Sequence, residues 1–419
     1  ESADSVVDDV PVAAVAQPPP PQVVHERRAQ VTDVRGGLHR RTAHVDSDFA
    51  RDEGNKVGHG LRPGVVEVHC HRQSLLGAAS SRPQVSTSIK GMQPMSASQF
   101  QAAGGDDVPP LEEVREGLYC YGLRQPGTLP HYLLSYVLLD RAGAVHIIDT
   151  GWDTDENWVA FGEMLAELGR SASDVASVTV THLHPDHLGM AGRIRAATGA
   201  TVAIHRAEQD GILELSTPLS DEEIITKLAA WSVPADRQPE LVDAFHLRNR
   251  WPSFTADRLL GDGDVLDIPG HTVRAVHTPG HTSGHLAFVD EERAAVFLGD
   301  LLLPTQFPGI GLGGTPEGNP IDHYLASLDT VSRMDALEAL PGHGYRFTGI
   351  AARCAETAAH HQNRTREVAA LRHPDATVWE IAAQLTWTAG WENLGGLPLR
   401  SALSQTALHE ERAGRQTSS

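Results

Sequence analysis

The stretch Thr181-His-Leu-His-Pro-Asp-His-Leu-Gly189 places four side chains of the kind that bind metals within six residues: His182, His184, Asp186 and His187. Imidazole and carboxylate groups are ligands that divalent zinc, iron and manganese accept, and imidazole is largely neutral at cellular pH. Residues 176–180 alternate small or polar side chains with apolar ones, which is typical of a half-buried strand, and residues 189–197 are typical of a helix. The sequence therefore predicts a metal site on the loop between this strand and this helix.

A loop can point these four side chains in different directions, which a regular helix or strand cannot do over so short a distance. His182 and His184 can bind one ion, while Asp186 and His187 follow the turn at Pro185 and can reach a second ion. The alternative is that these are ordinary histidines on a surface loop. That alternative requires four ligand-type residues in six to occur together by chance, so a metal site is the preferred interpretation.

Four further motifs lie in order before and after this stretch. They are Val145-His-Ile-Ile-Asp149-Thr-Gly151, Thr278-Pro-Gly-His281, the apolar run 294–299 that ends at Asp300, and Leu340-Pro-Gly-His343. Together with the central stretch, they resemble the sequence signature of the metallo-β-lactamase superfamily over roughly residues 111–350. The resemblance implies an α/β fold of four layers, αββα, in which two β-sheets pack together between two layers of helices.

The resemblance also implies which residues hold two divalent metal ions. The first ion would take His182, His184 and His281, the second would take Asp186, His187 and His343, and Asp300 would bridge them. Zinc is expected first, with iron or manganese as alternatives, because all three metals accept these ligands. A hydroxide shared by the two ions would be the nucleophile. Asp186 would also orient the attacking water, and Asp149 would hold a ligand histidine in one tautomer.

The composition of the chain limits its partners. Its 419 residues carry a formal net charge of -20, which disfavours nucleic acid and anionic membranes because binding to both depends on Lys and Arg. The sequence has no apolar run of about eighteen residues that could span a membrane and no signal-peptide pattern. Cys70, Cys120 and Cys354 are an odd number without a Cys-x-x-Cys pair, so we expect a reduced, cytoplasmic protein.

Residues 1–107 are predicted to be a disordered extension. They contain the proline run Gln17-Pro-Pro-Pro-Pro-Gln22 and no sustained apolar periodicity, and such a composition cannot bury enough apolar surface to fold. The first methionines are Met92 and Met95, and plausible folded sequence follows soon after them. A second interpretation is therefore that the residues before Met92 are an upstream reading frame included in error, or a dispensable tail.

Residues 108–349 are predicted to form the catalytic domain, with a helical insertion at about residues 206–258. Insertions beside a metal cleft commonly act as lids or substrate walls. The alternative is that aromatic residues such as Trp231 and Phe245 hold a small core of the insertion itself. Residues 350–419 are predicted to form a C-terminal helical domain that resembles the small winged-helix-like appendage of some superfamily members. Its helices are not basic, so packing beside the catalytic site is expected rather than nucleic-acid binding.

The predicted function is a dinuclear metal-dependent hydrolase of small-molecule thioesters or esters, similar to glyoxalase II, the hydroxyacylglutathione hydrolase. Penicillin-destroying members of the family often carry a cysteine where this chain has Asp300, so the resemblance does not favour β-lactams. One alternative is a metal-dependent ribonuclease or phosphodiesterase, since the same ions can stabilise phosphoryl transfer. Another is a metal-binding protein without turnover, although the complete ligand set argues against it.

Overall fold

The computed structural model describes residues 91–126, 130–217, 219–248 and 254–416. In these residues the strands are β1 (Gln93–Pro94), β2 (Glu112–Arg115), β3 (Leu118–Arg124), β4 (Tyr132–Leu139), β5 (Val145–Ile148), β6 (Val175–Thr179), β7 (Thr201–His205), β8 (Arg258–Leu260), β9 (Val273–His277), β10 (Leu286–Asp290), β11 (Ala295–Gly299), β12 (Glu338–Pro341) and β13 (Phe347–Thr348). The helices are α1 (Ala97–Ala102), α2 (Asp155–Glu167), α3 (Pro185–Leu188), α4 (Ala191–Thr198), α5 (Arg206–Ser216), α6 (Asp221–Ala230), α7 (Gln238–Arg248), α8 (Pro320–Ser332), α9 (Ile350–Leu371), α10 (Val378–Gln384) and α11 (Gly396–Gln416).

The strands form two sheets. In the first sheet, β2 to β8 lie side by side in sequence order, antiparallel up to β5 and parallel from there to β8. The second sheet has the order β1-β13-β12-β11-β10-β9. Strands such as β5 and β11 are buried along their whole length, which explains why their sequences are continuous apolar runs rather than alternating ones.

Apolar side chains fill three layers between these elements. Leu118 and Tyr136 from the first sheet meet Phe288 and Phe297 from the second sheet in the central layer. Helices α2, α4 and α5 cover the outer face of the first sheet, and α8 and α9 cover the outer face of the second. The predicted α/β architecture of four αββα layers is confirmed.

The predicted ligands and Asp149 follow the carboxyl ends of five strands. Asp149 comes directly after β5, the His182 stretch follows β6, and His281 follows β9; Asp300 and His343 follow β11 and β12. Parallel neighbours such as β5 and β6, or β11 and β12, end at the same edge of their sheet. The topology therefore collects these five segments at one edge of the sandwich.

The insertion helices do not form a core by themselves. Ile224 of α6 and Leu241 of α7 lie in one buried apolar cluster with Ile381 of α10 and Leu399 of α11. Trp231 and Phe245, two of the aromatic residues of the insertion, belong to this cluster, whereas Phe254 packs against the apolar cluster on the outer face of the first sheet. The insertion and the C-terminal helices are therefore stabilised by each other, which neither sequence interpretation of the insertion anticipated. The domain boundaries themselves stay predictions.

The C-terminal helices are present as expected. Helix α10 begins at Thr377, whose Oγ accepts a hydrogen bond from the Glu380 amide while the Glu380 carboxylate accepts one from the Thr377 amide, as the capping-box pattern predicts. Described residues 349–416 contain helical segments and no strand. The resemblance to a winged helix therefore rests on the helices alone.

Regular elements are present before residue 107, within the segment that the sequence predicts to be a disordered extension. Met92 is buried, β1 pairs with β13, and α1 begins after Ser96, whose side chain accepts a hydrogen bond from the Gln99 amide. A strand of two residues and a helix of six are too short to produce a visible apolar period. Residues 1–90, including Cys70, lie outside the described residues, and the prediction of disorder there remains a prediction.

None of the helices in the described ranges is long and apolar enough to cross a membrane. Cys120 and Cys354 are buried free thiols, and a free cysteine in this position behaves as a small apolar packing residue. The cytoplasmic location stays a prediction.

Candidate metal centre

The conformation of the central stretch follows from its proline and glycine. His184 is extended because it precedes Pro185, which occupies the first position of helix α3 and starts a turn there. Gly189 then lies so close to two backbone carbonyls that a Cβ atom would be 2.3 Å from the Pro185 oxygen and 2.6 Å from the Gly151 oxygen. This contact presses the loop against the Asp-x-Gly turn after β5.

Three ring nitrogens converge at the first predicted ion site. The Nε2 atom of His182 lies 2.9 Å from Nδ1 of His184, which lies 3.2 Å from Nε2 of His281. All three side chains are buried. Burial lowers the pKa of each imidazole below its usual value, for His184 to about 3. They are therefore neutral at cellular pH, the form in which imidazole binds metals.

The second predicted site contains two histidines and a carboxylate. Oδ2 of Asp186 lies 3.3 Å from Nε2 of His343 and 3.8 Å from Nε2 of His187. Asp300 lies against both sites. Its Oδ1 atom is 3.4 Å from His187 Nε2, and its Oδ2 atom is 3.7 Å from His281 Nε2. This position suits the predicted bridging role, which remains a prediction.

The electrostatics of the second site favour a positive charge at its centre. Burial alone would lower the pKa of His187, but the carboxylates of Asp149, Asp186 and Asp300 raise it well above its usual value. Burial alone would raise the pKa of Asp186, yet His187 and His343 lower it to about 2. These carboxylates stabilise the kind of charge that a divalent cation supplies.

The buried polar atoms of the second site also indicate that it can hold a cation. Among the described residues, Nε2 of His187, Nε2 of His343 and Oδ1 of Asp186 are buried without a hydrogen-bond partner. Buried polar atoms are rarely left this way, because each costs roughly 1–3 kcal/mol. A cation bound between these atoms would satisfy them, so the donor set fits a divalent metal.

The opposite ring nitrogens of three ligand histidines are held in place. Nδ1 of His187 donates to Asp149, Nδ1 of His281 donates to the Gly309 carbonyl, and Nδ1 of His343 donates to the Tyr132 carbonyl, each at 2.7 Å. Since these acceptors carry no proton, each of the three histidines keeps a proton on Nδ1. Nε2 is therefore the nitrogen of His187, His281 and His343 that can bind a predicted ion.

Asp149 occupies an unusual backbone conformation to do this. Its φ angle is 61°, in the left-handed region that residues other than glycine rarely adopt. Its carboxylate accepts hydrogen bonds from the Thr181 amide at 2.8 Å, the Thr181 hydroxyl at 2.9 Å and His187 Nδ1 at 2.7 Å. Asp149 thus connects β5 to the ligand loop and fixes the orientation of the His187 ring.

The sequence analysis missed two buried residues of the site. Gln125, which follows β3, donates from Nε2 to Oδ2 of Asp186 at 2.8 Å. Glu208 of α5 accepts hydrogen bonds from the Leu183 amide at 2.7 Å and from the Gly284 amide at 2.5 Å. Burial raises the pKa of Glu208 to about 7. Glu208 therefore joins the loop that carries four of the predicted ligands to the turn that carries His281.

Comparisons with known proteins agree with this geometry. The model of the metallo-β-lactamase superfamily matches residues 132–343, just over half of the chain. A metallo-beta-lactamase family protein of known structure from Thermus thermophilus is similar with a TM-score of 0.60 and 29% sequence identity, covering 73% of this chain and 95% of that protein.

Two curated relatives are also similar in sequence, one over most of this chain at low identity and one over a short segment. A Beta-lactamase-like protein 2 homolog of Caenorhabditis elegans is 22% identical over 286 residues, which are 68% of this chain and 81% of the relative. An atrochrysone carboxyl ACP thioesterase of Aspergillus fumigatus is 31% identical over 130 residues, which are 31% of this chain and 38% of the relative. The family match, the fold and the cluster of His and Asp side chains all agree. The chain therefore belongs to the metallo-β-lactamase superfamily and is a hydrolase of that superfamily with a candidate metal site.

Proposed function

We propose that this chain is a dinuclear, zinc-dependent hydrolase of small-molecule thioesters or esters, similar in activity to glyoxalase II. The observation that supports it most is the position of Asp300, whose two carboxylate oxygens lie against histidines of both ligand sets. A single carboxylate in that position can serve two ions at once. The expected ligands remain those predicted from the sequence, and the proposed setting is the cytoplasm.

Two divalent ions held here would supply a water whose pKa is lowered towards about 7 and would polarise a substrate carbonyl. The chain's own residues prepare that chemistry. Asp186, itself held by Gln125, is placed to orient the attacking water, and Asp149 keeps the His187 lone pair directed inward. Burial raises the pKa of Cys120 and of Cys354 to about 12. Neither thiol is therefore ionised at neutral pH, so neither is expected to act as a nucleophile.

A small carboxyl ester or thioester suits the chain better than a nucleic acid. The formal charge of -20 repels polyanions such as RNA. The Aspergillus fumigatus relative is named a thioesterase, which supports the same reaction class through a limited segment of sequence. The phosphodiesterase alternative therefore becomes the second arm of the test.

The test compares initial rates of the zinc-loaded full chain on a glutathione thioester and on an activated phosphodiester. We expect thioester turnover that disappears with a chelator and returns with zinc. His281→Ala should abolish it, whereas His246→Ala should not, because His246 lies on α7 and pairs with Asp221. Turnover of the phosphodiester alone would replace this proposal with the nuclease alternative. Two bound ions without turnover of either substrate would refute the assignment to glutathione thioesters.

A further inference from the structure

The loop between β11 and α8, residues 301–319, connects the metal centre to the C-terminal helices. Two of its carbonyls face ligand histidines. The Gly309 oxygen accepts the hydrogen bond from His281 Nδ1 at 2.7 Å, and the Leu312 oxygen lies 3.4 Å from His184 Nε2. Both histidines belong to the first ligand set. The position of this loop therefore determines the orientation of two of the three imidazole rings in that set.

The loop has no regular secondary structure of its own in residues 301–319, so other elements must hold it. On the side of the metal centre, the Gly311 amide donates to the Gly280 carbonyl and the Leu312 amide donates to the His281 carbonyl, each at 2.8 Å. Between the two carbonyls that face ligand histidines lies Ile310, which is fully buried. As a buried polar group, its carbonyl needs a hydrogen-bond donor.

That donor comes from helix α11. Nε2 of Gln405 donates to the Ile310 carbonyl at 2.5 Å. The helix also packs closely on the next residue, because a Cβ atom on Gly311 would lie 2.9 Å from Cδ1 of Leu408. Asn319, at the end of the loop, donates to the Leu408 carbonyl at 2.9 Å. Helix α11 thus fixes the side of the loop opposite the metal centre.

We propose that Gln405 is a positioning residue for the first metal site: by holding Ile310, it keeps the Gly309 and Leu312 carbonyls against His281 and His184. The second site does not depend on this loop in the same way. His187 is held by Asp149 and His343 by the Tyr132 carbonyl, and both partners belong to the first sheet or the turn that follows it. Loss of the Gln405 hydrogen bond therefore weakens one ion site and leaves the other. This inference rests on the proposed metal-dependent function but not on its substrate.

We expect a chain with a substituted Gln405 to fold. The Gln405 side chain is half-buried and lines a polar cavity between α9 and α11, together with His361, Thr406 and His409. Gln405→Met keeps the length of the side chain and removes the N–H donor. The matched control is Gln384→Met, because exposed Gln384 donates to the Glu380 carbonyl within its own helix.

The test measures the two zinc dissociation constants of the full chain by competition with a chromophoric chelator, and repeats the titration with cobalt to follow its visible absorption. We expect one dissociation constant of Gln405→Met to rise by about tenfold, as is common when a partner of a metal ligand is lost. The dissociation constant of the second site should keep its wild-type value. The cobalt absorption of the second site should also match that of the wild-type chain. Gln384→Met should leave both constants at their wild-type values.

Three results would overturn the inference. The first is a folded Gln405→Met chain with both constants within about twofold of wild type, which is less than about 0.5 kcal/mol. The second is an equal rise in both constants, which would indicate general destabilisation. The third is a wild-type chain that binds fewer than two ions. Since no substrate enters this assay, a lack of thioester turnover would refute the proposed substrate and leave the metal-binding result standing.

Discussion

Replacement of Asp149 by Asn tests how the second ion site is prepared. The carboxylate of Asp149 accepts three hydrogen bonds, from the Thr181 amide, the Thr181 hydroxyl and His187 Nδ1. An amide offers only one oxygen. If that oxygen faces Thr181, the new NH₂ group faces His187 Nδ1, which must then accept a hydrogen bond and transfer its proton to Nε2. The nitrogen expected to bind the metal would then carry a proton.

The expected magnitude follows from the lost contact. A hydrogen bond to a charged group contributes about 1.5–3 kcal/mol, and each 1.4 kcal/mol corresponds to about a tenfold change in a binding constant. The ion held by Asp186, His187 and His343 should therefore bind roughly 10- to 100-fold more weakly, which agrees with the usual effect of removing a partner of a metal ligand. Asn tolerates a positive φ angle better than most residues, so the backbone strain at this position is not the cause.

Chelator competition on the full chain measures the effect, with Asp140→Asn as the matched control. Asp140 lies 3.7 Å from His146 and accepts hydrogen bonds from the Ala142 and Ala144 amides, so it is an aspartate beside a histidine far from the ligands. We expect the control to bind both ions normally. A folded Asp149→Asn chain that binds both ions with wild-type affinity would refute the tautomer argument.

Two further substitutions test the site and its support. Asp300→Asn should release or loosen one ion and lower the hydrolysis rate about a thousandfold, because several kcal/mol of charge stabilisation depend on the bridging carboxylate. Initial rates and metal analysis measure both effects. Near-normal activity with two bound ions would contradict this prediction. Burial holds the pKa of Glu208 at about 7, above the ordinary 4.5, so the folded chain binds a proton that the unfolded chain releases as pH rises between these values. The free energy of unfolding should consequently fall by about 3 kcal/mol from pH 4.5 to pH 7 and level off above it. Glu208→Gln should lack this component in urea titrations at several pH values; identical pH dependence in both proteins would count against it.

The central part of the candidate site was predictable because its ligand residues are close together in the sequence. Four of the seven expected ligands lie within six residues, and the strand before them and the turn at Pro185 are visible as periodicity and proline position. The ligands that lie far away in sequence, His281, Asp300 and His343, were found only because their short motifs resemble those of a family. The structure brings all of them together.

The supporting residues could not be predicted, for a physical reason. Gln125, Glu208 and Gln405 each act through hydrogen bonds to segments distant in sequence, and a single polar residue in a strand end or a helix carries no sign of its partner. The same applies to helix α11 (Gly396–Gln416), which packs on α7 and α9; its own sequence pattern does not show these partners.

Helices α6 and α7 are synthesised long before the helices that cover them. Translation adds roughly 5–20 residues per second, and strands β9 to β13 are all synthesised between Leu241 and Leu399. During that interval the apolar face around Trp231 and Phe245 has no partner from α10 or α11, and a surface of this kind recruits chaperones or aggregates. The loop that contains Ile310 likewise has no hydrogen bond from Gln405 until α11 has been synthesised. The His281 side of the metal centre therefore lacks the Gln405 hydrogen bond until α11 has been synthesised, and a chain released before α11 would lack it altogether.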